Sequence, residues 1–190
     1  MLIFHRRFDA ARFNAKLKIA VAAAIVAMCS SSAFSADPNP VPSVPARDPA
    51  MVAAFARAAA SLDDFLTKWR NPPPGTDSFS VKVGLIDSSG VPGHAIIRPG
   101  DTASTRVEFF WMGNLKEEAD GFSAQVANDV EYLRNVHPGD TVHFKRSDIA
   151  DWMYLRDGKI VGNATACPAL AHASAAERRE MKERYGLACD

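Results

Sequence analysis

"DIADWMYLRDGKIVGN" (Asp148–Asn163) places an Asp-Gly pair between two short alternating runs of side chains. Asp-Gly is a signal for a two-residue β-hairpin turn, because a type I′ turn needs positive φ at both central positions. The incoming run sets Trp152 and Tyr154 on one face of a strand, with Met153 and Leu155 on the other. Lys159–Asn163 is the return, and Arg156, Asp157 and Lys159 stand at the tip. Reading this stretch as a pleated hairpin rather than a helix decides the fold class.

The same period of two recurs upstream. Phe79, Val81, Val83 and Leu85 alternate with Ser80, Lys82 and Gly84, and Phe122, Ala124 and Val126 with Ser123 and Gln125. Val142 and Phe144 alternate with Thr141, His143 and Lys145. Such runs describe antiparallel strands with one buried and one wet face. "TRVEFFWMGN" (Thr105–Asn114) is more apolar, with Val107, Phe109 and Trp111 facing one way and Phe110 and Met112 the other. It reads as a central strand covered on both sides. Asp87–Gly93 and Asp120-Gly121 mark turns.

Before Gly75 the period is near 3.6. Asp48 and Pro49 supply an N-cap and a first-turn proline. Met51, Phe55, Ala58, Leu62, Phe65, Leu66 and Trp69 then form one apolar stripe on a helix that "NPPPG" (Asn71–Gly75) ends. At the other end, Ser174 and Glu177 have capping-box spacing. Met181 and Tyr185 share a face, Glu180 pairs with Arg184, and Gly186 stops the helix. The expected architecture is α+β: an N-terminal amphipathic helix packed on an antiparallel sheet of about five or six strands, with a short C-terminal helix.

Residues 1–35 have the form of a secretory signal, with Arg6, Arg7, Arg12, Lys16 and Lys18 leading into the ten uncharged residues Ile19–Met28. That apolar block is shorter than the roughly 20 residues needed to span a bilayer. Ala33-Phe34-Ser35 offers small residues for a cut before Ala36. An uncleaved anchor and a lipoprotein at Cys29 are the alternatives. Residues 36–47 form a Pro-rich linker, since Ala36–Pro49 holds five prolines in 14 residues. The whole chain carries 22 basic and 22 acidic residues. Without the leader's five basic and one acidic residues, 17 face 21, a net charge of −4. That balance argues against nonspecific nucleic-acid binding, which relies on Lys and Arg against phosphates.

Cys167 and Cys189 remain after the leader, and an even count in an exported chain suggests one disulfide. A helix of about 18 Å from Ser174 to Gly186, with Pro168–Ala173 running back extended, permits the closure. Two free thiols or an intermolecular link are the alternatives.

No serine lies in a G-x-S-x-G elbow, and no glycines have dinucleotide or phosphate-loop spacing. His94, His137, His143 and His172 lack a second ligand at metal-site spacing. No metal or cofactor is therefore expected. Asp148 and Asp151 could share acid/base work with His137 or His143 in a hydrolase, although aspartates leading into a strand commonly hold backbone N–H groups. The aromatics suggest a binding surface instead. Trp111, Trp152 and Tyr154, with Asp148, Asp151, Arg156 and Lys159 around them, are the candidate recognition residues, on the pattern of aromatic anchors with a charged rim. The ligand expected is a protein or a small molecule. A factor blocking a toxic partner, or responding to envelope stress, is a further possibility.

Several ordered features carry a family resemblance: "FFWMGNL", Y-x-x-N-V-x-x-G-D (Tyr132–Asp140), and D-I-x-D-W-M-Y (Asp148–Tyr154) followed by D-G-K-x-x-G-N. They resemble domain of unknown function 2314 (DUF2314), the YegJ-like bacterial proteins, over about Asp48–Thr165. Residues 166–190 look like the extension of exported members. The resemblance implies a compact α+β domain and an exported protein, and it transfers no catalytic residue. The sequence departs from relatives at "NATACPAL" (Asn163–Leu170), where a strand would otherwise continue, so a short last strand is expected.

Overall fold

The computed structural model describes residues 44–87, 94–99, 107–187 and 189. The expected leader and most of the linker lie outside the described residues. Asp48 caps α1 (Pro49–Ala60) by accepting from the Ala50 N–H at 2.8 Å. The stripe from Met51 to Trp69 is carried by two helices rather than one, α1 and α2 (Leu62–Arg70). Ser61 causes the break. Its hydroxyl donates to Arg57 O at 2.9 Å and its N–H to Ala58 O, so it competes with the regular ladder. The bend costs little burial, because Ala58, Leu62, Phe65 and Leu66 all remain in the core.

Among the described residues seven antiparallel strands follow: β1 (Thr76–Asp87), β2 (His94–Ile97), β3 (Glu108–Glu118), β4 (Gly121–Val126), β5 (Thr141–Phe144), β6 (Ile149–Arg156) and β7 (Lys159–Gly162). The order across the sheet is β5-β4-β3-β1-β6-β7, with β2 also paired to β1. Strand β2 adds to the six alternating runs. It is short, and it pairs with Gly84–Asp87, beyond the stretch of β1 held by β6. The chain closes with α3 (Ala166–Ala171) and α4 (Ala175–Tyr185).

Alternation divides the sheet into two faces. Val81, Val83, Leu85, Phe110, Met112, Phe122, Ala124, Val142, Phe144, Trp152 and Tyr154 form the main core with α1 and α2. A smaller cluster of Trp111, Met153, Ile160, Leu170 and Leu187 lies apart from it, under α3 and the C-terminal tail. Strand β3 is thus covered on both faces where its apolar run predicts it.

The hairpin matches its sequence signal closely. Asp157 and Gly158 have φ of 50° and 75°, and the register runs from Arg156↔Lys159 to Met153↔Gly162. Gly162, at φ 89°, lies so close to β6 that a Cβ there would stand 2.4 Å from Trp152 O. Asn163 leaves the strand at φ 60° and accepts from Ala166 N–H, starting α3. The D-G-K-x-x-G-N pattern therefore encodes a turn, a close approach and an exit.

Residues 127–140 have no regular structure, yet two carboxylates fasten them. Glu108 accepts from the N–H groups of Glu131, Tyr132 and Leu133 at 2.7–3.2 Å. Asp87 accepts from Arg134 and Asn135 at 3.1 Å. Asp140 then accepts from His137 N–H at 2.7 Å, while Val136 is buried. The Y-x-x-N-V-x-x-G-D pattern reads as the signature of this loop, in which the N–H groups of 131–135 and of His137 find carboxylates while those of Ala127, Gly139 and Asp140 find backbone carbonyls.

Candidate functional site

Lys82 occupies the middle of β1, and its direct cross-strand partners are Trp111 on β3 and Asp151 on β6. Three adjacent strands therefore set an indole, an amine and a carboxylate in a row on one face. The alternating pattern assigned this face to water. It is instead covered here by the chain that leads into α3, because Thr165 reaches down to the row.

Asp151 is almost fully buried, at 1% exposure. Its Oδ1 accepts from Trp152 N–H at 2.8 Å, and its Oδ2 from Thr165 N–H at 2.8 Å and Thr165 Oγ1 at 2.7 Å. Lys82 Nζ donates to Thr165 Oγ1 at 2.5 Å and lies 4.4 Å from the Trp111 ring centre. The ammonium thus has a hydroxyl partner and an aromatic face, with the Asp151 charge one hydroxyl away. Lys82 is half-buried as a residue, with its amine enclosed. Burial pushes its pKa down to about 8, and the Asp151 charge offsets only part of this. Trp111 Nε1 and both amide atoms of Asn163 are buried without a hydrogen-bond partner among the described residues.

This arrangement has a pH consequence. A Lys82 pKa near 8 in the fold, against about 10.5 in the open chain, means that the unfolded state holds more protons between those values. The cost of enclosing the ammonium is fully present below pH 8 and disappears as pH rises to about 10.5. Denaturant unfolding at pH 7.5 and pH 10 should show the native chain gaining on Lys82→Met by about 1–2 kcal/mol at the higher pH, after allowing for solvent screening. An equal gap at both pH values would refute the perturbed amine.

Of the seven residues proposed for recognition, five are buried. Trp111, Trp152 and Tyr154 are 4%, 7% and 2% exposed, so these rings do not floor an open surface. Their alternation brings them under helices on both sides of the sheet. Asp148 is also buried. It accepts from Lys145 N–H at 2.8 Å and from Arg98 Nε at 3.0 Å, closing a single helical turn before β6. Only Arg156 and Lys159 are exposed, and each has an internal role. Arg156 donates to Tyr154 Oη at 2.8 Å, and Lys159 Nζ donates to Glu183 O and Arg184 O at the end of α4.

Neither Asp148 nor Asp151 is hydrogen-bonded to His137 or His143, the pairing that the hydrolase alternative requires. His143 is hydrogen-bonded to Glu118 at 2.9 Å, and His137 lies 3.4 Å from Asp140. Hydrogen bonds from Ser123 first, and His143 second, hold the Glu118 carboxyl below the usual range. Among the described residues no group of three His, Cys, Asp or Glu could hold a metal ion. An open groove of about 830 Å³ is lined by Ala59, Leu62, Asp120, Gly121, Lys145, Arg146, Ser147 and Ile149, and shares no residue with the row. Lys82 and Thr165 escaped sequence reasoning: one sat on an apparently wet face, the other beyond the last strand. Their only signal was polar side chains flanking apolar ones.

Cys167 and Cys189 form a disulfide with Cα atoms 5.3 Å apart. The connection after Pro168 is helical rather than extended, and α3 brings Cys167 beneath the tail. Among the described residues no helix is long and apolar enough to cross a membrane.

Residues 48–189 match the family described as "Uncharacterized protein conserved in bacteria" (DUF2314), so the match continues through the C-terminal helix. The chain is also 27% identical over 135 residues to the protein named "Uncharacterized protein YegJ" of Escherichia coli (strain K12), covering 71% of this chain and 76% of that one. No solved structure matches it significantly. The patterns that carry the resemblance fall on the hairpin turn, the fastened loop and two members of the buried row, Trp111 and Asp151, and the chain belongs to DUF2314.

Proposed function

We propose that the protein is an exported, non-catalytic module that binds a partner protein. The observation that carries this reading is the half of the second sheet face left open over β3, β4 and β5. Asn114, Gln125, Thr141 and His143 are exposed there. Among the described residues no strand pairs with the outer edge of β5. A polar, pleated platform ending in an unpaired edge suits an extended segment of another chain, whose main chain would continue the ladder. The basic leader and the Cys167–Cys189 disulfide support export, since disulfides persist in oxidising compartments. The hairpin tip, with Arg156 exposed, is a second contact point on this reading.

Affinity capture from an envelope extract tests it, with the disulfide-bonded chain as bait and bound proteins identified by mass spectrometry. A specific partner should be retained by the native chain and by Ser174→Ala. It should be lost with the double substitution Gln125→Lys, Thr141→Lys, which charges the open face without touching the core. Retention of the same partner by the double variant would sink the platform.

A further inference from the structure

We propose that the Cys167–Cys189 disulfide is a thiol-operated latch, whose reduction frees α4 and Leu187 and uncovers the apolar floor of Trp111, Met153 and Ile160. Three observations carry this. Helix α4 buries none of its residues, so it has little hold of its own on the sheet. Its remaining attachments are few: Leu187 inserted into the small cluster, Met181 and Tyr185 partly packed against it, and Lys159 Nζ on the last carbonyls. Finally, Cys189 is exposed, so an incoming thiolate can reach it.

The exchange balances with an external dithiol as reductant. Its thiolate attacks Cys189 Sγ, the bond to Cys167 breaks, and Cys167 leaves as a thiolate that takes a proton. The second thiol of the reductant then displaces Cys189 from the mixed disulfide. The chain ends with two thiols and the reductant with one disulfide. Among the described residues the tail is then tied by the packing of Leu187, Met181 and Tyr185 and by the Lys159 amine on its carbonyls, and the lost closure of a 22-residue separation shifts it toward the open state. What opens is an apolar patch beside Lys82 and an indole N–H that has no partner among the described residues.

Hydrogen exchange on the full chain, before and after dithiothreitol, tests the latch, with thiol alkylation reporting how far reduction has gone. Amides of residues 175–187 should exchange about a hundredfold faster once two thiols are free, with β1, β3 and β6 unchanged. A hydrophobic dye should bind in step. The Cys167→Ser, Cys189→Ser double variant should reproduce the reduced pattern without reductant. Unchanged α4 exchange after full alkylation overturns the proposal, as does a disulfide that resists excess dithiothreitol. Equal loss of protection in β1, β3 and β6 also overturns it, by showing that the bond holds the whole fold rather than a strap.

Discussion

Replacing Asp151 by alanine should lower the unfolding free energy by about 3–5 kcal/mol, the usual cost of removing one member of a buried charged pair. In thermal melts that corresponds to a loss of about 10–15 °C for a domain of this size. The carboxylate accepts three hydrogen bonds, from Trp152 N–H, Thr165 N–H and Thr165 Oγ1. Alanine leaves those buried donors unsatisfied and strips the enclosed Lys82 ammonium of its nearby negative charge. Adding Lys82→Met to Asp151→Ala should recover about 1–2 kcal/mol, since the double variant no longer strands a cation. A single variant within 1 kcal/mol of the native chain would show that the row does not organise the fold, and a functional role for these residues would then gain weight.

The row also marks where sequence reading stopped. Alternation locates six of the seven strands among the described residues, and the Asp-Gly pair sets the register of β6 against β7, because each signal is local. The capping box before α4 was equally legible, with Ser174 and Glu177 bonded reciprocally. What lay beyond reach was what covers each face. Lys82, His143 and Gln125 all alternate with apolar neighbours, yet Thr165 closes over Lys82 while the other two stay open. That difference is set by where α3 lands, which no window of sequence encodes. The aromatic cluster misled for the same reason: its rings are close in sequence to surface charges but are packed by helices distant in the chain. Ser61 is a smaller instance. A continuous apolar stripe hides a serine whose hydroxyl and N–H turn to the carbonyls of Arg57 and Ala58 and bend the helix.

The contrast between Trp152→Ala and Arg156→Ala separates core from surface in the hairpin itself. Trp152 stacks on Phe65 at 5.2 Å between ring centres and lies 6.2 Å from Tyr154. Its Nε1 donates to Ala58 O at 3.0 Å, tying β6 to α1. Truncation to alanine removes an indole packed between sheet and helices, and should cost about 3–5 kcal/mol. Trp152→Phe keeps most of that packing and should cost about 1–2 kcal/mol, because Ala58 O retains the Ser61 N–H as a donor. Arg156 is exposed, and its loss removes one bond to Tyr154 Oη and one cation–π contact at 5.6 Å. That should cost about 1 kcal/mol or less. Urea unfolding with a constant m-value measures all three. If Arg156→Ala destabilises as much as Trp152→Ala, the charged tip is a structural clamp on Tyr154 and the second contact point is lost. If Trp152→Ala is nearly neutral, the indole is not in the core, and the aromatic face of the hairpin returns as a binding surface.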